Sequence, residues 1–192
     1  MSGLGLPVPP GFTLTTEACM EYHANGRVLP EGLETQFAEQ LARLEELQGR
    51  KFGDPEDPLL LSVRSGGPVS MPGMMDTVLN LGLNREMVDA QIAKGVDARV
   101  IRDCYRRLLT MYGDVVLGVP HSKFEKVLAE TREAEGVASD YDISAEGLES
   151  IIDAFEGLIA EGGRPFPTVP MDQLWGGAMA VFVSWYVLRA TD

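Results

Sequence analysis

A chain of 192 residues is long enough for one sizeable core or two small ones, and 45% hydrophobic with 23% charged residues is an ordinary globular composition. Its 29 acidic residues against 16 basic ones give a formal net charge of −13. This excludes non-specific nucleic-acid binding, which needs clustered positive charge, but leaves room for a nucleotide held by a few aimed arginines and backbone N–H groups. Cys19 and Cys104 stand outside any zinc-ligand spacing, so no metal site is expected from them. Both are expected to be reduced, buried thiols, with a disulfide between them as the alternative. No apolar run reaches transmembrane length and no secretory pattern opens the chain, so neither membrane nor nucleic acid is an expected partner and a cytoplasmic location is expected.

In chain order, the Pro- and Gly-rich stretch at 5–13 cannot be helical and predicts an extended approach to a short strand at 12–14. Thr15 or Thr16 then caps a helix through Glu17, Ala18, Met20 and Tyr22. Pro30 and Glu31 open a second helix with Leu33, Phe37, Leu41 and Leu44 on one face and Gly49 at its end. Residues 59–63 form an apolar run without helical period, which predicts one buried strand. A Gly/Pro/Met-rich loop follows from Ser65 to Met75.

From about Arg85 the pattern is helical. Ile101, Cys104, Tyr105, Leu108, Tyr112 and Val115 share a stripe, which leaves Arg99 and Arg106 pointing to solvent. Phe124, Val127 and Leu128 predict a shorter helix, and Leu148, Ile151, Ile152, Phe155, Leu158 and Ile159 a longer one after Ser144. After a linker at 163–170, a helix from Asp172 to about Arg189 is apolar nearly all round and is expected to be buried. The layout is an α/β part at about 1–84, a helical insert at 85–163, and a linker with a returning helix at 164–192. The strands are too few for a complete sheet.

The chemistry concentrates where the apolar run delivers Arg64 into the glycine-rich loop. Glycines let backbone N–H groups approach a polyphosphate, and arginine matches phosphate oxygens in a planar fork. The plainer alternative is a surface turn with Arg64 paired to a carboxylate. Arg107 lies on the flank of its helix stripe, where an ion pair with Asp103 at i,i+4 is the plain expectation. Met71, Met74 and Met75 suit either core packing or soft contacts in a mobile lid. Asp76 is either a magnesium ligand or a cap for the element starting at Thr77. His23 reads as a helix-end residue and His121 as a loop residue. The acidic run 130–135 reads as a solvated face.

The run from Ser62 to Asn84, with its Met71-Pro-Gly-Met-Met-Asp-Thr77 core, closely resembles a segment of pyruvate, phosphate dikinases. The Leu6–Thr13 stretch, Tyr105 to Val116, Phe124 to Lys126 and Asp172 to Leu174 resemble the same family in the same order. The resemblance implies an α/β fold with a helical insert, an incomplete, mostly helical, ATP-grasp-like nucleotide-binding domain. In that family ATP phosphorylates a histidine, with release of AMP and transfer of phosphate to inorganic phosphate, and a second site exchanges the phosphohistidine with pyruvate. Carried over, Arg64 contacts the ATP phosphates, Arg107 lies near them, and the loop containing Gly66, Ser70, Met71, Gly73, Met74, Asp76 and Thr77 is the lid. ATP and Mg2+ are the implied cofactors.

The family's phosphate-gripping lysine, in a Gly-Gly-Lys-Gly-Ala segment, is not found here. Nor are its magnesium-binding carboxylates, its phosphohistidine domain or its pyruvate-binding domain, which become the implied partners. Neither His23 nor His121 has the setting of the phosphohistidine. Gly66, Gly67 and Pro68 stand where the family more often has Gly-Ala and a basic residue. The isolated chain is therefore expected to bind ATP weakly and to lack catalysis. A regulatory or partner-binding module derived from the same domain is the alternative.

Overall fold

The computed structural model describes residues 8–66 and 77–189, with side chains described up to residue 185. The chain divides into two compact units, Met1–Lys51 and Phe52–Asp192.

In the first unit, α1 spans Thr16–Ala24 and α2 spans Leu33–Gln48. Thr15 caps α1, its hydroxyl accepting the Ala18 N–H at 3.4 Å. Helix α2 buries the predicted stripe of Leu33, Phe37, Leu41 and Leu44 and ends on Gly49, whose backbone is left-handed at φ 64°. The strand expected at 12–14 does not form. Phe12 instead sets its ring edge-on to Phe37 with centroids 5.2 Å apart, so an aromatic contact takes the place of a ladder.

At the boundary lies β1 (Lys51–Phe52), and the second unit continues with β2 (Pro58–Leu59), β3 (Leu61–Val63) and β4 (Val78–Leu81). The apolar run at 59–63 is thus two strands and not one. The reason is pairing: β3 joins β4 in a two-stranded antiparallel sheet separate from the one containing β2. Only Leu59 of the run is fully buried, so the expectation of a buried strand fails with it. The described residues are mostly helical, and their strands form only two-stranded sheets.

Helices α3 (Arg85–Ala93), α4 (Ala98–Val115), α5 (His121–Glu135), α6 (Ala145–Glu161) and α7 (Pro170–Arg189) complete the unit, with a 3₁₀ turn at Asp140–Asp142. Helix α5 is longer than its apolar positions alone suggest, and His121 is its first residue. Helix α4 is the spine, contacted by α3, α5, α6 and β4. Its Tyr105, Leu108, Leu109 and Tyr112 are buried, as are Leu148, Ile151, Ile152 and Phe155 of α6. Each such aliphatic or phenyl side chain contributes about 1.5–3 kcal/mol on leaving water.

Because α4 is covered on several sides, the face opposite its apolar stripe is not solvent, and two expectations fail. Arg106 is only 7% exposed, with Nε and one terminal nitrogen donating to Asp103 Oδ1 at 2.9 and 2.7 Å. Arg99 donates from Nε to the Ile143 carbonyl at 3.0 Å and from a terminal nitrogen to the carbonyls of Asp140 and Tyr141. In both, the aliphatic stem packs while the head finds acceptors.

Helix α7 buries Gln173, Leu174, Ala178 and Phe182, whereas Val183 is 40% exposed, so one face and not the whole circumference is covered. Its approach to α4 depends on Gly176, where a Cβ would collide with the Tyr112 hydroxyl.

Two helix glycines respond oppositely to alanine. A Cβ on Gly113 would lie 2.5 Å from Phe124 Cζ and 3.3 Å from Ile159, so Gly113→Ala overpacks the core and costs about 1–3 kcal/mol. A Cβ on Gly157 meets nothing within 4 Å, so Gly157→Ala gains about 0.5–1 kcal/mol from backbone entropy alone. Urea unfolding midpoints should therefore fall for the first variant and rise for the second.

Burial, reinforced by the charge of Asp172, pushes the Tyr112 phenol from 10.0 up to about 12. Below pH 10 the phenol is protonated in both states and its contribution is intact. As pH rises towards 12 the unfolded chain ionises while the folded one does not, so stability falls. The loss between these pH values should be shallower in Tyr112→Phe, as read by urea unfolding at stepped pH.

Candidate functional site

The site begins at the loop end of the β3–β4 hairpin. Leu61 lies opposite Leu81 and Val63 opposite Val78, with an irregularity between the two pairs. Arg64, just past β3, and Thr77, just before β4, therefore leave the same end of the ladder. They are the two stems of the segment 67–76. Ser70, Met71, Gly73, Met74 and Asp76 belong to that segment and lie outside the described residues.

Successive strand side chains alternate between faces. Leu61 and Val63 are partly buried, whereas Ser62 and Arg64 are exposed. The guanidinium thus projects away from the core. Among the described residues no carboxylate forms a salt bridge with Arg64, so the ion pair that a plain surface turn would supply is not found there. Gly66 is exposed and Thr77 half-buried.

The hairpin is fixed against α4 and α7 by polar side chains in a mostly apolar setting. Asn80, a non-glycine residue at φ 61°, donates from Nδ2 to the Cys104 carbonyl of α4 at 3.0 Å. Gln173 of α7 is fully buried; its Oε1 accepts the Gly82 N–H at 2.9 Å, and its Nε2 donates to the carbonyls of Leu83 at 2.8 Å and Pro167 at 2.9 Å. Asn84 caps α3 by accepting the Met87 N–H at 2.8 Å and also donates to the Thr168 carbonyl at 2.8 Å. Neither Asn80 nor the β4 strand is signalled by periodicity, because four residues with one in the left-handed region carry no alternation to read.

Arg107 stands on α4, one turn beyond the carbonyl that Asn80 grips. The predicted i,i+4 pair is present: Nε donates to Asp103 Oδ2 at 2.8 Å. Oδ1 of the same carboxylate serves Arg106, so one aspartate is divided between a buried arginine and an accessible one. The Arg107 side chain is 43% exposed, and its bond to Asp103 uses Nε, which leaves the terminal fork available to a second anion. Burial works against its charge, but Asp103 and the adjoining Tyr141 outweigh it and hold the guanidinium pKa above its ordinary value.

Neighbouring groups are less suited to chemistry. Burial, then the charge of Asp103, pushes the half-buried Cys104 thiol up, away from the thiolate a nucleophile needs. Cys19 is buried. His121 contacts Asp114 at 3.1 Å and Glu125 at 3.4 Å on an exposed helix start. A network absent from the sequence reading joins Arg85 to Glu149, Asp153 and Glu156 at 2.6, 2.5 and 2.9 Å, while the Tyr105 hydroxyl donates to Glu156 at 2.8 Å. Its sequence signal is the acidic i, i+4, i+7 row on α6. Among the described residues no group of three or more His, Cys, Asp or Glu could hold a metal ion. Arg64 and Arg107 offer the planar donor chemistry that phosphate oxygens accept.

No family model matches the chain. The chain is 49% identical over 192 residues to pyruvate, phosphate dikinase of Clostridium symbiosum, 51% over 191 residues to that of Rhizobium meliloti, and 47% over 191 residues to pyruvate, phosphate dikinase 2 of Zea mays. Each alignment covers 99% of this chain but only 21–22% of the relative, so the chain spans about a fifth of the length of the proteins it matches. From end to end, the 192 residues are homologous to one segment of the pyruvate, phosphate dikinases, which are enzymes.

Proposed function

We propose that this chain is an ATP-binding segment of a pyruvate, phosphate dikinase, with an incomplete ATP-grasp-like fold. On this reading, residues 1–84 carry the phosphate lid, 85–163 form the helical part, and 164–192 the linker and returning helix. The reaction of the whole enzyme would convert ATP, pyruvate and phosphate to AMP, phosphoenolpyruvate and diphosphate. The observation that carries the proposal is the exposed Arg64 at the stem of the glycine-rich segment, within the run that resembles the dikinases.

Phosphoryl transfer leaves a protein little covalent work; catalysis is positioning and charge stabilisation. Arg64 would supply a planar fork of donors to the phosphates, and the hairpin behind it would fix where that fork stands. Arg107 would add a second cation from α4. Gly66, Ser70, Met71, Gly73, Met74, Asp76 and Thr77 would close over the polyphosphate and exclude water. Magnesium, when bound by the complete enzyme, would neutralise phosphate charge; the described residues contribute arginines to that task.

The test is a full-length dikinase in which this segment replaces its counterpart, assayed for pyruvate- and phosphate-dependent formation of AMP. Arg64→Ala should lower kcat/KM for ATP by about 100-fold or more, the usual effect of removing one transition-state donor. Arg64→Lys should recover only part of it, because a point charge lacks the fork. Unchanged activity in Arg64→Ala would remove the assignment.

The 192-residue chain alone corresponds to a fifth of the relatives and should bind ATP with magnesium at a Kd of about 1 mM or weaker, with no turnover. Micromolar, stoichiometric binding by isothermal titration would contradict this part of the proposal.

A further inference from the structure

Tyr141 is 72% exposed, and folding alone does not account for it: a large ring that gains little from burial sits on a backbone held from several directions. The 3₁₀ turn that carries it, Asp140–Asp142, is gripped by Arg99, which donates to the carbonyls of Asp140, Tyr141 and Ile143. Arg132 donates to the Asp140 carboxylate at 2.6 Å, and the Ser139 hydroxyl accepts the Tyr141 N–H at 3.3 Å. Just beyond the turn, Glu135 accepts from the Ser144 backbone and hydroxyl at 2.8 and 2.5 Å. Two arginines and a carboxylate thus immobilise a turn whose most prominent side chain is in water.

The ring faces Arg107, whose Cζ lies 6.0 Å from the Tyr141 centroid. That is the outer edge of useful cation–π attraction, so the ring acts as a wall as much as a binding partner. A wall is what Arg107 lacks on its own helix. Asp103 holds it through one nitrogen only and divides its charge with Arg106. The bond at Nε fixes the start of the guanidinium, and the Tyr141 side chain, ring and hydroxyl together, bears on the rest of it.

We infer that Tyr141 is a positioning residue for Arg107: with Asp103 on one side and the clamped ring on the other, the terminal nitrogens are aimed at the phosphate oxygens of a nucleotide. The inference rests on the proposed nucleotide role of Arg107 and names how that guanidinium is pre-set. It also gives the Arg99 cage a purpose beyond local stability.

The test reads Arg107 directly, by 15N–1H guanidinium spectra of the 192-residue chain. Because Tyr141 is exposed, its replacement leaves the core intact. In Tyr141→Ala, exchange of the Arg107 Nε proton should accelerate about two- to five-fold, as expected from losing an exposed cation–π contact. Tyr141→Phe, which keeps the ring but not the hydroxyl, should restore part of the slow rate, and the buried Arg106 signal should not change in either variant. On titration with ATP, the midpoint of the Arg107 shifts should weaken by the same factor in Tyr141→Ala and recover in part in Tyr141→Phe. Arg107 exchange that is unaltered in Tyr141→Ala overturns the inference. Wild-type Arg107 signals that stay still up to saturating ATP overturn the nucleotide reading beneath it, a result separate from the exchange measurement.

Discussion

The amide of Gln173 lies completely out of water, and both its ends are used: one accepts from Gly82, the other donates to Leu83 and Pro167. Leaving any of these groups unpaired would cost about 1–3 kcal/mol, so the corner after β4 and the linker before α7 are obliged to meet at this side chain. Asn80 adds the second restraint by tying β4 to the Cys104 carbonyl. With β4 seated between α7 and α4, its partner β3 has little choice of place, and the direction of Arg64 follows from the pleat. A polar contact within the core thus determines where an exposed cation stands.

The same economy sorts the arginines of α3 and α4. Arg85 is committed to three carboxylates, Arg99 to three carbonyls, Arg102 to Glu149 and the Ala145 carbonyl, and Arg106 to a buried bond with Asp103. Arg85 and Arg102 thereby cross-link α3 and α4 to α6, Arg99 ties α4 to the 3₁₀ turn, and Arg106 is held within α4 itself. Arg107 differs in that its side chain is 43% exposed while Asp103 and Tyr141 hold it. Accessibility by itself is a weak argument for function; accessibility on a helix where every other arginine has been absorbed is a stronger one.

What could be read from the residues follows from how local each feature is. The helices were legible because their apolar positions repeat within one element, as Leu33 to Leu44 and Leu148 to Ile159 do. The Arg107–Asp103 pair was legible because i,i+4 geometry is a property of one helix. The division of 59–63 into two strands was not, because it depends on which distant segment each half pairs with. Arg106 and Arg99 were misplaced for a related reason: periodicity finds one buried stripe, and cannot reveal that neighbours also cover the opposite face of α4. Tyr141 escaped notice because its contact with Arg107 joins elements far apart in sequence.

An acidic chain that is to hold a polyanion faces repulsion from its own net charge of −13. Ions screen that field beyond about 8 Å at physiological salt, so the contest is decided by groups within direct reach. There, the cost that matters is ordering a long cation, since an arginine surrenders up to about 2 kcal/mol of rotamer entropy when it is held. Arg64 limits this loss by leaving the end of a paired strand, where the backbone is already settled. Arg107 limits it differently, through Asp103 and the ring of Tyr141, which restrict the side chain before any ligand arrives. The neutralising aspartate weakens the local field, but it orders the fork that would meet the phosphate. In a protein whose net charge opposes a polyanion, that exchange of charge for order favours binding through geometry over binding through net electrostatic attraction.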